Sequence, residues 1–166
     1  MTVSKSVDPA QRLAALGDLR KCIEIAREIG ELEVIEGADP HLEMGALYEL
    51  SLRKAIPPIL LFRKIKGFPD DYRVAVNVRS SKVLNEGFGL DLVQAYRKHR
   101  RKRSEPIPHE TVAEGPVLEN VLMDNQVDVR SFPAPKWHAQ DGGSYIGTEC
   151  MVIAKNPDGN WVNAGT

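Results

Sequence analysis

The chain has 166 residues, 42% of them hydrophobic and 27% charged, with a net charge of −1. That is enough for one medium domain, or for one domain and part of another, and its near-neutral balance argues against a dedicated nucleic-acid or membrane-surface protein. No apolar run approaches the ~18 residues of a membrane span, and residues 1–10 lack the basic start and apolar middle of a signal peptide, so a cytoplasmic protein is expected.

In chain order, Asp18 is predicted to cap a helix that turns Leu19, Ile23, Ala26 and Ile29 inward and ends at Gly30. Residues 31–36 alternate as a short strand. Asp39-Pro40 offers a second cap with proline at the first helical position, and Leu42, Ala46, Leu47 and Leu50 form the inward stripe of a helix ending near Ala55, before Pro57-Pro58. Residues 59–62 and 72–78 read as strands around a Gly67-Phe68-Pro69-Asp70 turn, the first apolar enough to be buried on both faces. This alternation predicts an α/β domain. Over residues 90–102 a further helix is expected, with Leu92, Val93 and Tyr96 inward, running into the basic stretch Arg97-Lys98-His99-Arg100-Arg101-Lys102-Arg103. Such a run could grip a phosphate backbone, but it also complements a helix C-terminus, and no aromatic row accompanies it for base stacking. Ser104-Glu105-Pro106-Ile107-Pro108 reads as a stiff linker, which puts the domain boundary between 1–104 and 105–166.

Beyond the linker, residues 111–117, 120–123, 145–154 and 161–163 are strand candidates, and Asn156-Pro157-Asp158-Gly159 is a hairpin turn by composition. They look like the opening of a β-barrel that cannot close by itself. Cys22 and Cys150 stand outside any C-x-x-C and are expected to be buried free thiols. His138 and Asp141 could be imagined as a catalytic pair, but a Gly/Pro-rich turn favours Asp141 as a cap for backbone amides. His41, His99 and His109 share no metal-ligand spacing; Asp39 and Glu43 suit the first turn of a helix; and no G-x-G-x-x-G or P-loop is present.

Several pieces together carry a family resemblance. They are Gly30-Glu31-Leu32-Glu33-Val34-Ile35, Asp39-Pro40-His41-Leu42-Glu43, Leu60-Leu61-Phe62, Lys66-Gly67-Phe68-Pro69, Gly115-Pro116-Val117-Leu118-Glu119-Asn120 and Val127-Asp128-Val129. They continue into P-x-P-x-x-H-x-x-D-G-G-x-Y-I-x-T over residues 133–148 and N-P-D-G-x-W-x-N over residues 156–163. In this order they resemble the UbiD family, decarboxylases that use prenylated FMN. The resemblance covers most of the chain and implies an α+β protein: an amino-terminal α/β domain, then the first strands of a split β-barrel flavin-binding domain.

By the same resemblance, Asn163 is expected to help hold a divalent metal, manganese or magnesium, that bridges to the cofactor phosphate. An amide oxygen is a hard ligand that such an ion accepts. Potassium is a further ion the family allows. Thr148 is expected beside the isoalloxazine or ribityl part, and Ala164, Gly165 and Thr166 along the cofactor. The catalytic acid and base residues of the family are expected beyond Thr166, so the chain is expected to be inactive alone and to need a complementary carboxy-terminal chain or segment. A homo-oligomer, a flavin prenyltransferase as cofactor supplier, and an aromatic or α,β-unsaturated acid as substrate are implied as well; nucleic acid and a membrane span are not. A non-catalytic remnant or assembly module with the family's amino-terminal fold is the other reading.

Overall fold

In a computed structural model, which describes residues 17–89, 91, 93–94, 96–97, 110–148 and 150–165, the first helix, α1 (Leu19–Glu28), starts where the sequence predicts. The Asp18 carboxylate accepts the Arg20 N–H at 2.9 Å, and Gly30 takes the left-handed φ of 75° that lets the chain turn away. Cys22, Ile23 and Ala26 face inward, whereas Leu19, expected on that face, is exposed. Burial pushes the Cys22 thiol up from its ordinary pKa, with the Asp18 charge adding to the effect.

Strand β1 (Leu32–Glu36) pairs in parallel with β2 (Ile59–Arg63), which pairs antiparallel with β3 (Arg73–Val76). The central position of β2 explains its continuous apolar run, because its two faces meet different layers. Ile59 packs with Cys22, Ala26, Val83, Leu84 and Phe88 on the α1 side. Leu60 and Phe62 pack with Ala38, Met44 and Ile65 on the other side. Val83–Gly87 forms a single π-helical turn that the sequence did not announce. It lies so close to α1 that a Cβ on Gly87 would stand 2.6 Å from Ile25 Cγ2.

The parallel connection is made by helix α2 (Glu43–Ser51), and here the sequence reading needs correction. Asp39-Pro40 does not open the helix. The Asp39 carboxylate instead accepts the His41 N–H at 2.8 Å, and the Glu43 side chain reaches back to the Asp39 N–H at 2.6 Å. Leu42 precedes the helix at φ 71°, the centre of a γ-turn closed by Glu43 N–H to the His41 carbonyl at 3.0 Å. The later start rotates the inward face: Met44, Gly45 and Ser51 are buried, while Ala46 and Leu50 of the expected stripe are exposed. The helix also stops at Ser51 rather than near Ala55.

A long strap returns to this layer. Lys136 bridges to His41, with Lys136 N–H donating to the Pro40 carbonyl at 3.0 Å and Leu42 N–H donating to the Lys136 carbonyl at 2.9 Å. Trp137 packs against the cluster of Met44, Leu60 and Phe62 and meets Tyr48 edge to face at 6.1 Å. Gly45 makes this seat possible, since a Cβ there would fall 1.8 Å from the Trp137 carbonyl oxygen.

The strands expected at 111–117 and 120–123 do not form. That stretch holds short 3₁₀ turns at Pro116–Leu118, Asp124–Gln126 and Val129–Ser131. Strand-favouring side chains without a partner strand have no ladder to join. The 145–154 strand shrinks to β4 (Val152–Lys155), which pairs antiparallel with β5 (Val162–Gly165) in a sheet of its own. Its turn is the predicted one: Gly159 sits at φ 70°, and Asn156 Oδ1 accepts the Trp161 N–H at 3.0 Å. All residues of both strands are exposed. Cys150, expected to be buried, is exposed too.

Most of the expected 90–102 helix, the basic run from Lys98 onward, His99, His109, the linker at 104–108 and Thr166 lie outside the described residues. Of that helix, Val93 and Tyr96 are exposed rather than inward. Among the described residues no helix is long and apolar enough to cross a membrane.

Candidate functional site

The free side of β3 is one wall of a groove of about 1100 Å³, and the strap is the other. From Tyr72 to Arg79 the chain runs along the groove; Phe132 to Pro135, then Trp137, His138 and Asp141, and finally Tyr145 to Thr148 face it. Tyr72 meets Phe132 of the opposite wall edge to face at 6.4 Å and is backed by Phe68 at 6.5 Å. Aromatic and aliphatic walls with a few polar groups are what a flat organic ligand needs. Trp137 Nε1 is buried without a hydrogen-bond partner among the described residues.

The strap owes its course to prolines and one turn. Pro133 and Pro135 keep it extended, and the Asp141 carboxylate accepts the His138 N–H at 2.9 Å, closing the turn before Gly142-Gly143. Tyr145 N–H then donates to the Pro135 carbonyl at 3.0 Å, which folds the strap on itself and brings Thr148 to the groove. The structural reading of Asp141 is thus the observed one. His138 turns its ring to Glu49 of α2, with Nε2 at 3.1 Å from Oε1. Sequence reasoning did not find Glu49, or Tyr72 and Phe132 as groove walls; their proximity is long-range and leaves no local signal.

The expected site residues are not all brought together. Thr148 lines the groove, but Asn163, Ala164 and Gly165 lie on β5, opposite Ala154, Ile153 and Val152, and no hairpin residue lines it. The Asn163 side-chain amide makes no hydrogen bond among the described residues, so its oxygen is uncommitted. One neutral amide is a poor site for a divalent cation, which wants six or more oxygens including carboxylates. Among the described residues no group of three His, Cys, Asp or Glu is arranged to hold a metal ion. These residues therefore do not fit a metal on their own. The groove, with its rings and with Thr148 on its wall, does fit a flavin-like ring system.

Comparison with known proteins places this geometry. Residues 23–102 match the amino-terminal domain of 3-octaprenyl-4-hydroxybenzoate carboxy-lyase, and residues 110–166 match the Rift-related domain of the same enzyme family. The chain belongs to the UbiD family. The pyrrole-2-carboxylic acid decarboxylase of Pseudomonas aeruginosa is 33% identical over 160 residues, covering 87% of this chain and 32% of that protein. The ferulic acid decarboxylase 1 of Saccharomyces cerevisiae is 28% identical over 163 residues, covering 88% and 32%. Among solved UbiD-class structures, the vanillic acid decarboxylase of Sedimentibacter hydroxybenzoicus in open form, with truncated ShVdcD, superposes with a TM-score of 0.72 at 28% identity, covering 89% of this chain and 34% of that one. An evolved dimeric form of HmfF from Pelotomaculum thermopropionicum, in complex with prenylated FMN, gives a TM-score of 0.72 at 25% identity, covering 88% and 34%. The chain thus spans about a third of the length of the UbiD relatives it matches. The mixed α/β fold is that of the UbiD amino-terminal portion.

Proposed function

We propose that this chain is the amino-terminal part of a carboxy-lyase that binds prenylated FMN and catalyses the non-oxidative, reversible decarboxylation of an aromatic or α,β-unsaturated carboxylic acid. The observation that carries the reading is the position of Thr148 on an aromatic-walled groove inside a chain that matches both UbiD segments. When bound, the cofactor supplies the electron sink into which the carbon–carboxylate bond electrons pass. The residues present bind and orient. Tyr72 and Phe132 form apolar walls, and Thr148 offers a hydroxyl. Asn163, with Ala164 through Thr166, would approach the cofactor phosphate once the hairpin is packed against the remainder of the protein. There a manganese or magnesium ion, with potassium as an accessory ion, would find its other ligands.

The acid and base groups would come from a carboxy-terminal segment or a complementary chain, in a homo-oligomer supplied by a flavin prenyltransferase. A second reading, an assembly module without catalysis, is favoured by the exposed apolar side chains between Val117 and Phe132. Intact mass and an absorbance spectrum of the native complex, purified from cells co-expressing a flavin prenyltransferase, separate the two. Bound prenylated FMN that is lost in Asn163→Ala supports the carboxy-lyase. A colourless complex sinks that reading in favour of the assembly module.

A further inference from the structure

We propose that His138 is a positioning residue, one that clamps the groove wall bearing Thr148 onto α2 through Glu49; its relevance to the cofactor rests on the flavin reading above. Besides the packing of Trp137 on Met44 and Tyr48, three contacts hold the strap to α2 and the turn before it. Backbone hydrogen bonds join Lys136 to Pro40 and Leu42, the Trp137 carbonyl sits over Gly45, and His138 Nε2–H donates to Glu49 Oε1 at 3.1 Å. The first two fix the strap before residue 138. The third is the one side-chain hydrogen bond between strap and helix among the described residues, and it falls where the chain turns back. Asp141 completes the device from the strap's own side, holding the His138 N–H at 2.9 Å while its carboxylate stands 3.7 Å from His138 Nδ1. Immediately after this turn the chain bonds back to Pro135 through Tyr145 and delivers Thr148 to the groove. Release of the imidazole would free the turn and the wall beyond it without disturbing Trp137, which the core holds independently.

The pair is half exposed, 56% and 55%, so the effect is modest: about three-fold in the local opening equilibrium. The test is amide hydrogen exchange on the full-length protein together with titration by FMN followed by flavin fluorescence. The variants are His138→Ala, Glu49→Ala, the double substitution, and His138→Gln, whose amide can still donate to Glu49. Expected are exchange at the Tyr145 amide, which bonds Pro135, faster by about three-fold in each alanine variant, no further gain in the double, recovery in His138→Gln, and FMN affinity falling in parallel while α1 and β2 keep their protection. Unchanged exchange at the Tyr145 amide in both single variants overturns the clamp. Faster exchange with undiminished FMN affinity overturns the positioning role. Faster exchange in a protein whose wild type binds no FMN sustains the clamp and sinks the flavin reading.

Discussion

Residues 17–89 and residues 110–165 differ in how their apolar side chains are used. In the first region a three-stranded sheet is covered on both faces, and Ile59, Leu60, Leu61 and Phe62 are almost wholly buried. In the second, Val117 is 85% exposed and Ile153 69%, and the hairpin of β4 and β5 stands as a two-stranded sheet. A lone hairpin is marginal in water. The two regions meet along the strap, which lays Trp137 into the first region's core, bonds Lys136 to Pro40 and Leu42, and sets His138 against Glu49 and Phe132 against Tyr72. The first region thus satisfies its own hydrophobic pattern, whereas the second carries a pattern written for surfaces beyond itself.

Truncation is the sharpest way to break this comparison. Phe62→Ala empties a fully buried site and should cost about 3–5 kcal/mol in urea unfolding, whereas Ile153→Ala should stay within about 0.5 kcal/mol in this chain. Equal costs at the two positions would show that the hairpin is packed after all. The seam between the regions comes next. Gly45→Ala pushes a methyl into the Trp137 carbonyl and should destabilise by about 1–3 kcal/mol, with loss of the near-ultraviolet circular dichroism of the Tyr48–Trp137 contact.

The smallest effect is electrostatic and confined to the first region. The Lys66 ammonium donates to Asp39 at 2.8 Å and, with the His41 N–H, holds that carboxyl below its usual pKa. A carboxyl lowered by folding adds stability above its unfolded pKa, and that stability is lost as pH falls through the folded value. Lys66→Met should therefore flatten the acid side of the stability curve relative to the wild type, measured as urea midpoints at neutral and acid pH. Parallel curves for the two proteins would remove this pair as the cause.

What was legible in the sequence follows the same division. Asp18 and Gly30 bracket α1 by chemistry contained within a few residues, and the β2 run declares its two-sided burial by composition alone. The failures are non-local. The inward face of α2 departs from the predicted stripe because the strap, not Asp39-Pro40, decides where the helix begins, through the bond from Leu42 to Lys136. The side chains that predict strands at 111–117 and 120–123 have no partner strand among the described residues. Exposure at Cys150 has the same origin. At the site, the turn closed by Asp141 and the hairpin turn at Asn156 were readable, since each is a short-range hydrogen bond. The distance between the groove with Thr148 and the strand with Asn163 was not, because no local pattern encodes how a hairpin docks.

The γ-turn at Leu42 has a consequence for the order of assembly. A leucine at φ 71° is costly, on the order of 1–3 kcal/mol, and a chain without the strap would have every reason to relax it. The contact that holds it is made by a residue far along the sequence, so the first turn of α2 cannot settle until that distant segment has arrived. Leu42 is in this sense a latch under tension: a nascent chain emerging from the ribosome can build most of its first sheet early, but it completes its second helix only after the Pro/Gly-rich strap has been synthesised and docked.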